Sequence, residues 1–149
     1  MSSTVHATAL VYGSNGLLLC GPSGAGKSLL FRDLLAHATA SGQFAALIGD
    51  DRVRLDVADG RLIARPVAPI AGLAEMRGLG PVPFTALDAS VIRLVVDFVP
   101  HAELERLPEE TELSTEIMGL SIRRQPVPSG GRPSPDLVLA ALAATRPVR

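Results

Sequence analysis

One side chain stands apart from the other basic groups. Lys27 is the sole lysine of a 149-residue chain that otherwise uses arginine. It sits in Gly21-Pro22-Ser23-Gly24-Ala25-Gly26-Lys27-Ser28, which has the G-x-x-x-x-G-K-[ST] spacing of a phosphate-binding loop. Each residue type in that spacing has a physical task. Glycines let the backbone approach an anion closely, and successive N–H groups then form a nest around it. The N-terminus of the following helix adds partial positive charge. Lys27 offers a compact point charge to phosphate oxygens. The Ser28 hydroxyl completes a Mg2+ site whose other ligands are phosphate oxygens, water and a carboxylate. Residues 21–28 are thus the expected nucleotide-phosphate cradle.

Carboxylates follow at a suitable distance. Asp50 and Asp51 end the apolar run Phe44–Gly49, and in an open α/β sheet the carboxyl ends of the strands face the ligand crevice. Neighbouring side chains on an extended chain point to opposite sides. The two aspartates therefore divide the work, one approaching the metal or an acceptor hydroxyl and the other being structural. Spacing says less about Glu75, His6, Arg106 and Arg132. A glutamate in a glycine-rich stretch, a histidine in a strand and surface arginines are ordinary structural residues as often as chemical ones.

The elements that must position these groups are legible as patterns. Val5–Tyr12 reads as a strand. The turn signal Gly13-Ser14-Asn15-Gly16 and the apolar run Leu17–Cys20 follow it, predicting an antiparallel hairpin. Leu29, Leu30, Leu34 and Leu35 have helical spacing, so a helix is expected from about Lys27 to Ala40, stopped by Gly42. With the Phe44–Gly49 strand this makes a βαβ unit, so this pair should be parallel and right-handed. Val53–Val57 and Arg61–Ala64 flank Ala58-Asp59-Gly60 as a second hairpin. Residues 66–83, rich in proline and glycine, are expected to be irregular. Val91–Phe98 and Met118–Arg124 read as strands, His101–Leu107 as a short helix or loop, 126–135 as a loop, and Asp136–Thr145 as a closing helix.

Composition bounds the rest. Apolar residues make up 47% of the chain, which favours a folded core over disorder. The length suits one domain, taken as 1–149. A formal net charge of -1 argues against a broad nucleic-acid surface. No apolar run is long enough to span a bilayer, and no basic residue precedes the first apolar stretch, which argues against a secretory signal. A lone cysteine, Cys20, forms no internal disulfide and reads as a small core residue. A cytoplasmic protein without a membrane or nucleic-acid partner is expected.

Three motifs taken together resemble a family. The loop Gly21–Ser28, the Asp50-Asp51-Arg52-Val53 segment and Glu75-Met76-Arg77-Gly78-Leu79-Gly80 occur in the order and spacing of the catalytic domain of HPr kinase/phosphorylase. The last motif is close to that family's Glu-[Ile/Val]-Arg-Gly-Leu-Gly signature, which involves Arg77 and Gly78. His6, Arg106 in Glu105-Arg106-Leu107, and Val127–Arg132 resemble further family features. The resemblance implies an α/β, P-loop-containing fold like that of phosphoenolpyruvate carboxykinase, a mixed sheet with flanking helices. It implies an ATP-dependent kinase, with pyrophosphate as an alternative donor, that uses Mg2+ to phosphorylate a serine of an HPr-like phosphocarrier of the sugar or nitrogen type. The same enzyme would dephosphorylate the carrier with inorganic phosphate, releasing pyrophosphate. Ser28 and Glu75 would hold the metal, and Asp51, or Asp50, would accept the serine proton. His6, Lys27, Arg106 and Arg132 would surround the phosphoryl group. A homohexamer of the short alphaproteobacterial type, lacking the N-terminal domain of longer members, is implied as well.

Departures from the family pattern are Leu29, where an acidic residue usually follows Lys-Ser, Ala7 after His6, and the altered segment 127–132. Two other readings share the loop and the aspartate pair. One is a P-loop kinase with a small-molecule acceptor. The other is a nucleotide-binding regulatory module without turnover, favoured by Leu29 and by residues 127–132.

Overall fold

A computed structural model describes residues 2–67, 73–76 and 80–145 of the chain. Strands β1 (Ser2–Val5) and β2 (Ala7–Tyr12) are separated by a bend at His6, and β2 turns through Gly13-Ser14 into β3 (Asn15–Cys20). The phosphate-loop motif leads from β3 into helix α1 (Lys27–Ser41). Gly42 takes φ +71° at its end, and the N–H groups of Gly42 and Gln43 return to the Thr39 and Ala38 carbonyls, closing the last turn as the glycine predicts. Then come β4 (Ala45–Gly49), the hairpin β5 (Val53–Ala58) and β6 (Arg61–Pro66), the short strands β7 (Leu73–Met76) and β8 (Gly80–Pro83), β9 (Ser90–Val99), β10 (Ser114–Ile117), β11 (Leu120–Pro128) and helix α2 (Pro135–Ala143).

Nine of the described strands form one mixed sheet in the order β1-β5-β6-β9-β3-β2-β4, with β11 beside β9 and β10 beside β11. Strand β6 meets the first residues of β9, while β11 runs parallel to its last residues, so the sheet forks at β9. β3 lies parallel to β9 along its other run of partners.

Strand β3 is buried on both faces because alternate residues serve different cores. Leu17 and Leu19 pack with Leu10, Leu94, Val96 and Phe98 under both helices. Leu18 points the other way, toward Val95, Ile48 and the β5–β6 hairpin. A strand covered on both sides reads as a continuous apolar run, which is how Leu17–Cys20 appears in the sequence.

The structure departs from or adds to the expected elements at four points. β3 and β4 do run in the same direction, but β2 lies between them and pairs antiparallel with each. The hairpin partner of β3 already occupies that edge, so α1 has to cross over it. Residues 66–83 are not wholly irregular, since β7 and β8 form a separate antiparallel ribbon that pairs Glu75 with Pro81; Arg77 and Gly78 lie outside the described residues. β10 was not anticipated. Finally, β11 continues through Pro126 and Pro128. The Arg124 N–H reaches the Leu113 carbonyl, away from β9. Positions 126 and 128 share that outward side, where a missing N–H breaks no ladder bond.

The helix side of the core yields a test. Phe31 is fully buried between α1 and the sheet and packs edge-on against Phe84, ring centres 5.1 Å apart. Phe31→Ala is expected to lower unfolding free energy by about 3–5 kcal/mol. Urea titration should then give a reduced midpoint at unchanged slope.

Candidate functional site

The site forms where three strand ends meet. β3 ends at Cys20, β4 ends at Gly49, and β2 begins at Ala7; the register pairs Ala7 with Cys20 and Ala9 with Gly49. One edge of the sheet therefore carries the phosphate loop, Asp50-Asp51, and the His6–Thr8 segment.

Sterics hold the loop tightly. At Gly21 an added Cβ would meet the Phe98 Cβ at 2.7 Å, and at Gly26 (φ +118°) it would lie 3.0 Å from the Gly131 carbonyl oxygen. Only glycine tolerates both the backbone conformation and the contact at Gly26. From outside, the Gly130 N–H donates to the Ala25 carbonyl at 2.8 Å, laying the segment after β11 across the loop. Arg132 secures that segment with a two-pronged bond to Asp33 of α1, at 2.9 and 2.7 Å.

Lys27 is buried, and its ammonium donates to the Gly21 and Pro22 carbonyls at 2.5 and 3.0 Å. The two aspartates separate, but through a left-handed turn after β4 and not through the alternation of an extended strand. Asp50 Oδ1 accepts from the buried Thr8 hydroxyl at 2.8 Å and from Ser28 Oγ at 3.3 Å. Asp51 turns outward and pairs with His6, Oδ1 to Nε2 2.7 Å, both side chains being substantially exposed. Asp51 has φ +70°, a region non-glycine residues seldom occupy and one that recurs at functional sites.

A cavity of about 840 Å3 opens over the loop, lined among others by Lys27, Ser28, Arg32, Asp50, Asp51 and Gly131. Among the described residues, Arg132 and Arg106 do not line this cavity. The Arg132 guanidinium is engaged by Asp33. Arg106 is exposed in the segment after the turn at His101–Glu103 and does not line the cavity. Glu75 lies in β7, the strand of the separate ribbon. Sequence reasoning missed Thr8, Arg32 and Asp33. Arg32 carried a usable signal, since it lies four residues beyond Ser28 and so on the same helix face. A second cavity of about 660 Å3, bordered by Arg61, Arg93 and Arg123, lies at the opposite ends of β9 and β11.

Cys20 ends β3 immediately before the loop, opposite Asp97 of β9. Burial, reinforced by the Asp97 carboxylate and partly offset by Lys27, raises its thiol from 9.0 to about 11. The folded chain keeps that proton over a range in which the unfolded chain loses it, so this group's contribution to stability falls as pH rises from 9 toward 11. Alkylation by iodoacetamide at pH 8 should be about a hundredfold slower in the folded than in the urea-unfolded chain, because only the thiolate reacts.

Comparison with known proteins places this geometry. No family model matches the chain. It is 31% identical over 158 residues to HPr kinase/phosphorylase of Burkholderia cenocepacia, covering 96% of this chain and 46% of that protein. It is 29% identical over 150 residues to the Clostridium beijerinckii protein of the same name, covering 94% and 47%. With that of Mycoplasma mycoides it shares 28% over 151 residues, covering 93% and 46%. The chain thus spans about half the length of the curated relatives it matches. The HPr(Ser) kinase/phosphatase of Coxiella burnetii superposes with a TM-score of 0.72 at 22% identity, covering 95% of this chain and 87% of that one. The fold is therefore that of this kinase/phosphatase, a P-loop α/β fold of the phosphoenolpyruvate carboxykinase type.

Proposed function

We propose that residues 1–149 form a catalytic domain that transfers a phosphoryl group from ATP to a serine of an HPr-like phosphocarrier. The same site would remove it by phosphorolysis, with inorganic phosphate as acceptor and pyrophosphate as product. The observation that carries this reading is the division of the aspartate pair across the loop: Asp50 is bound to the loop hydroxyl Ser28, and Asp51 is held at the open side by His6.

Ser28 and Asp50 bring two hard oxygens within 3.3 Å of each other, a donor pair suited to Mg2+. These two residues would hold the ion, with Glu75 as the further carboxylate that the family resemblance offers. When bound, the ion would neutralise charge on the phosphate oxygens. Lys27 would exchange its loop carbonyls for those oxygens. Because the transition state of phosphoryl transfer is loose, positioning and charge neutralisation carry most of the catalysis.

Asp51 is the group placed to meet an incoming serine, and His6 fixes its carboxylate. In the forward direction the serine oxygen bonds to the γ-phosphorus, the bond to the β–γ bridging oxygen breaks, ADP leaves, and the serine proton passes to Asp51. A well-placed carboxylate suffices, since the proton departs late. In the reverse direction an oxygen of inorganic phosphate bonds to the phosphoserine phosphorus, the bond from that phosphorus to the serine oxygen breaks, pyrophosphate leaves, and Asp51 passes the proton of the attacking phosphate to the serine oxygen.

Incubation with Mg-ATP and an HPr-like carrier is expected to leave phosphoserine on the carrier, detected by mass spectrometry. Phosphate added afterwards should release pyrophosphate. Asp51→Asn is expected to slow transfer at least about a hundredfold with ATP binding retained. If Asp50→Asn does this and Asp51→Asn does not, the division of roles is reversed. ATP binding without any transfer would replace this reading with the nucleotide-binding module, which Leu29 and the engagement of Arg132 by Asp33 favour.

In addition, Lys27→Arg keeps the charge but loses the compact ammonium that two loop carbonyls hold. Transfer by this variant is expected to fall clearly below the wild-type rate.

A further inference from the structure

We infer that Arg32 is a second cation of the phosphate site and binds the polyphosphate chain of the nucleotide directly. The inference rests on nucleotide binding at the loop, as proposed above, and not on the identity of the acceptor.

Placement comes first. Arg32 lies one helical turn beyond Ser28 on α1, and its side chain lines the loop cavity with Lys27, Ser28 and Asp50. Its neighbours in sequence are both committed elsewhere, Phe31 to the core and Asp33 to Arg132. Among the described residues Arg32 has no hydrogen bond or ion pair. It is nonetheless half-buried. A guanidinium that is partly desolvated and lacks a carboxylate partner gains most from an anion, and phosphate oxygens match its fork of donors.

Leu29 explains why the cation is available. Residues 29 and 32 are three apart on one helix face, and an acidic side chain at 29 would pair with Arg32. Leucine there lines the cavity without taking the charge. The ammonium of Lys27 is meanwhile engaged by two loop carbonyls. Among the described residues the cavity thus holds Asp50 and Asp51 as its negative groups and Arg32 as a cation without a hydrogen-bond or ion-pair partner.

Equilibrium binding to the whole chain tests this, with Mg-ATP, AMP and inorganic pyrophosphate as separate probes. Arg32→Gln is expected to weaken ATP and pyrophosphate about tenfold or more, the scale of a lost charge-assisted contact, while changing AMP little. Arg32→Lys should recover part of the loss. Without nucleotide the melting temperature of Arg32→Gln should match the wild type, since among the described residues the side chain has no hydrogen-bond or ion-pair partner to lose. Unchanged ATP and pyrophosphate affinity in Arg32→Gln overturns the inference. A raised KM for the carrier with unchanged ATP affinity overturns it too and assigns Arg32 to acceptor docking. Failure of the unmodified chain to bind ATP or pyrophosphate overturns it with the kinase reading. If the unmodified chain binds ATP without phosphorylating the carrier, and Arg32→Gln still weakens ATP, the kinase reading alone fails.

Discussion

The burial of β3 on both faces is the constraint from which the rest follows. Leu17 and Leu19 are committed to the helical side and Leu18 to the hairpin side, so no polar group on this strand can reach water sideways. Chemistry can leave the sheet only at a strand end. The chain does so at Cys20-Gly21, where glycines let the backbone turn against Phe98 and enter α1. Leu30, Phe31 and Leu34 then fix the helix on the same core, so the loop is clamped at both ends. The loop is thus positioned by apolar packing behind it.

The same constraint gathers the remaining groups. β2 starts and β4 stops at the edge where β3 stops, because β2 lies between them and pairs antiparallel with both. Thr8, Asp50 and Ser28 then share one hydrogen-bonded cluster, although they come from three elements and as many as 42 residues separate them. At the position after this cluster the chain reverses toward β5. Asp51 absorbs the reversal in a left-handed conformation and is thereby aimed at His6. The strained backbone and the exposed His6–Asp51 contact arise from one turn.

Much of this was legible in the residues. The glycine–lysine–serine spacing placed the loop, apolar runs of period near 3.6 placed α1, and Asp59-Gly60 placed a hairpin. A division of the two aspartates was expected from the alternation of an extended chain, whereas it comes from the left-handed turn at Asp51. What was not legible lay in pairings between distant segments. Pro126 and Pro128 looked like loop residues because a proline counts against a strand, until the free edge of β11 removed the penalty. Arg132 resembled a phosphate ligand by position, yet its guanidinium found the carboxylate of Asp33, 99 residues away in sequence.

The sequence by itself determined which residues could bind phosphate and that one apolar strand must deliver them, because motif chemistry and side-chain periodicity are local properties. Tertiary structure decided which of those residues meet. It inserted β2 between β3 and β4, put Thr8 beside Asp50, drew Arg132 onto α1 and left Arg32 at the cavity wall. These outcomes depend on strand order and on competition among distant partners for the same charge. Neither is encoded in any single segment of the chain.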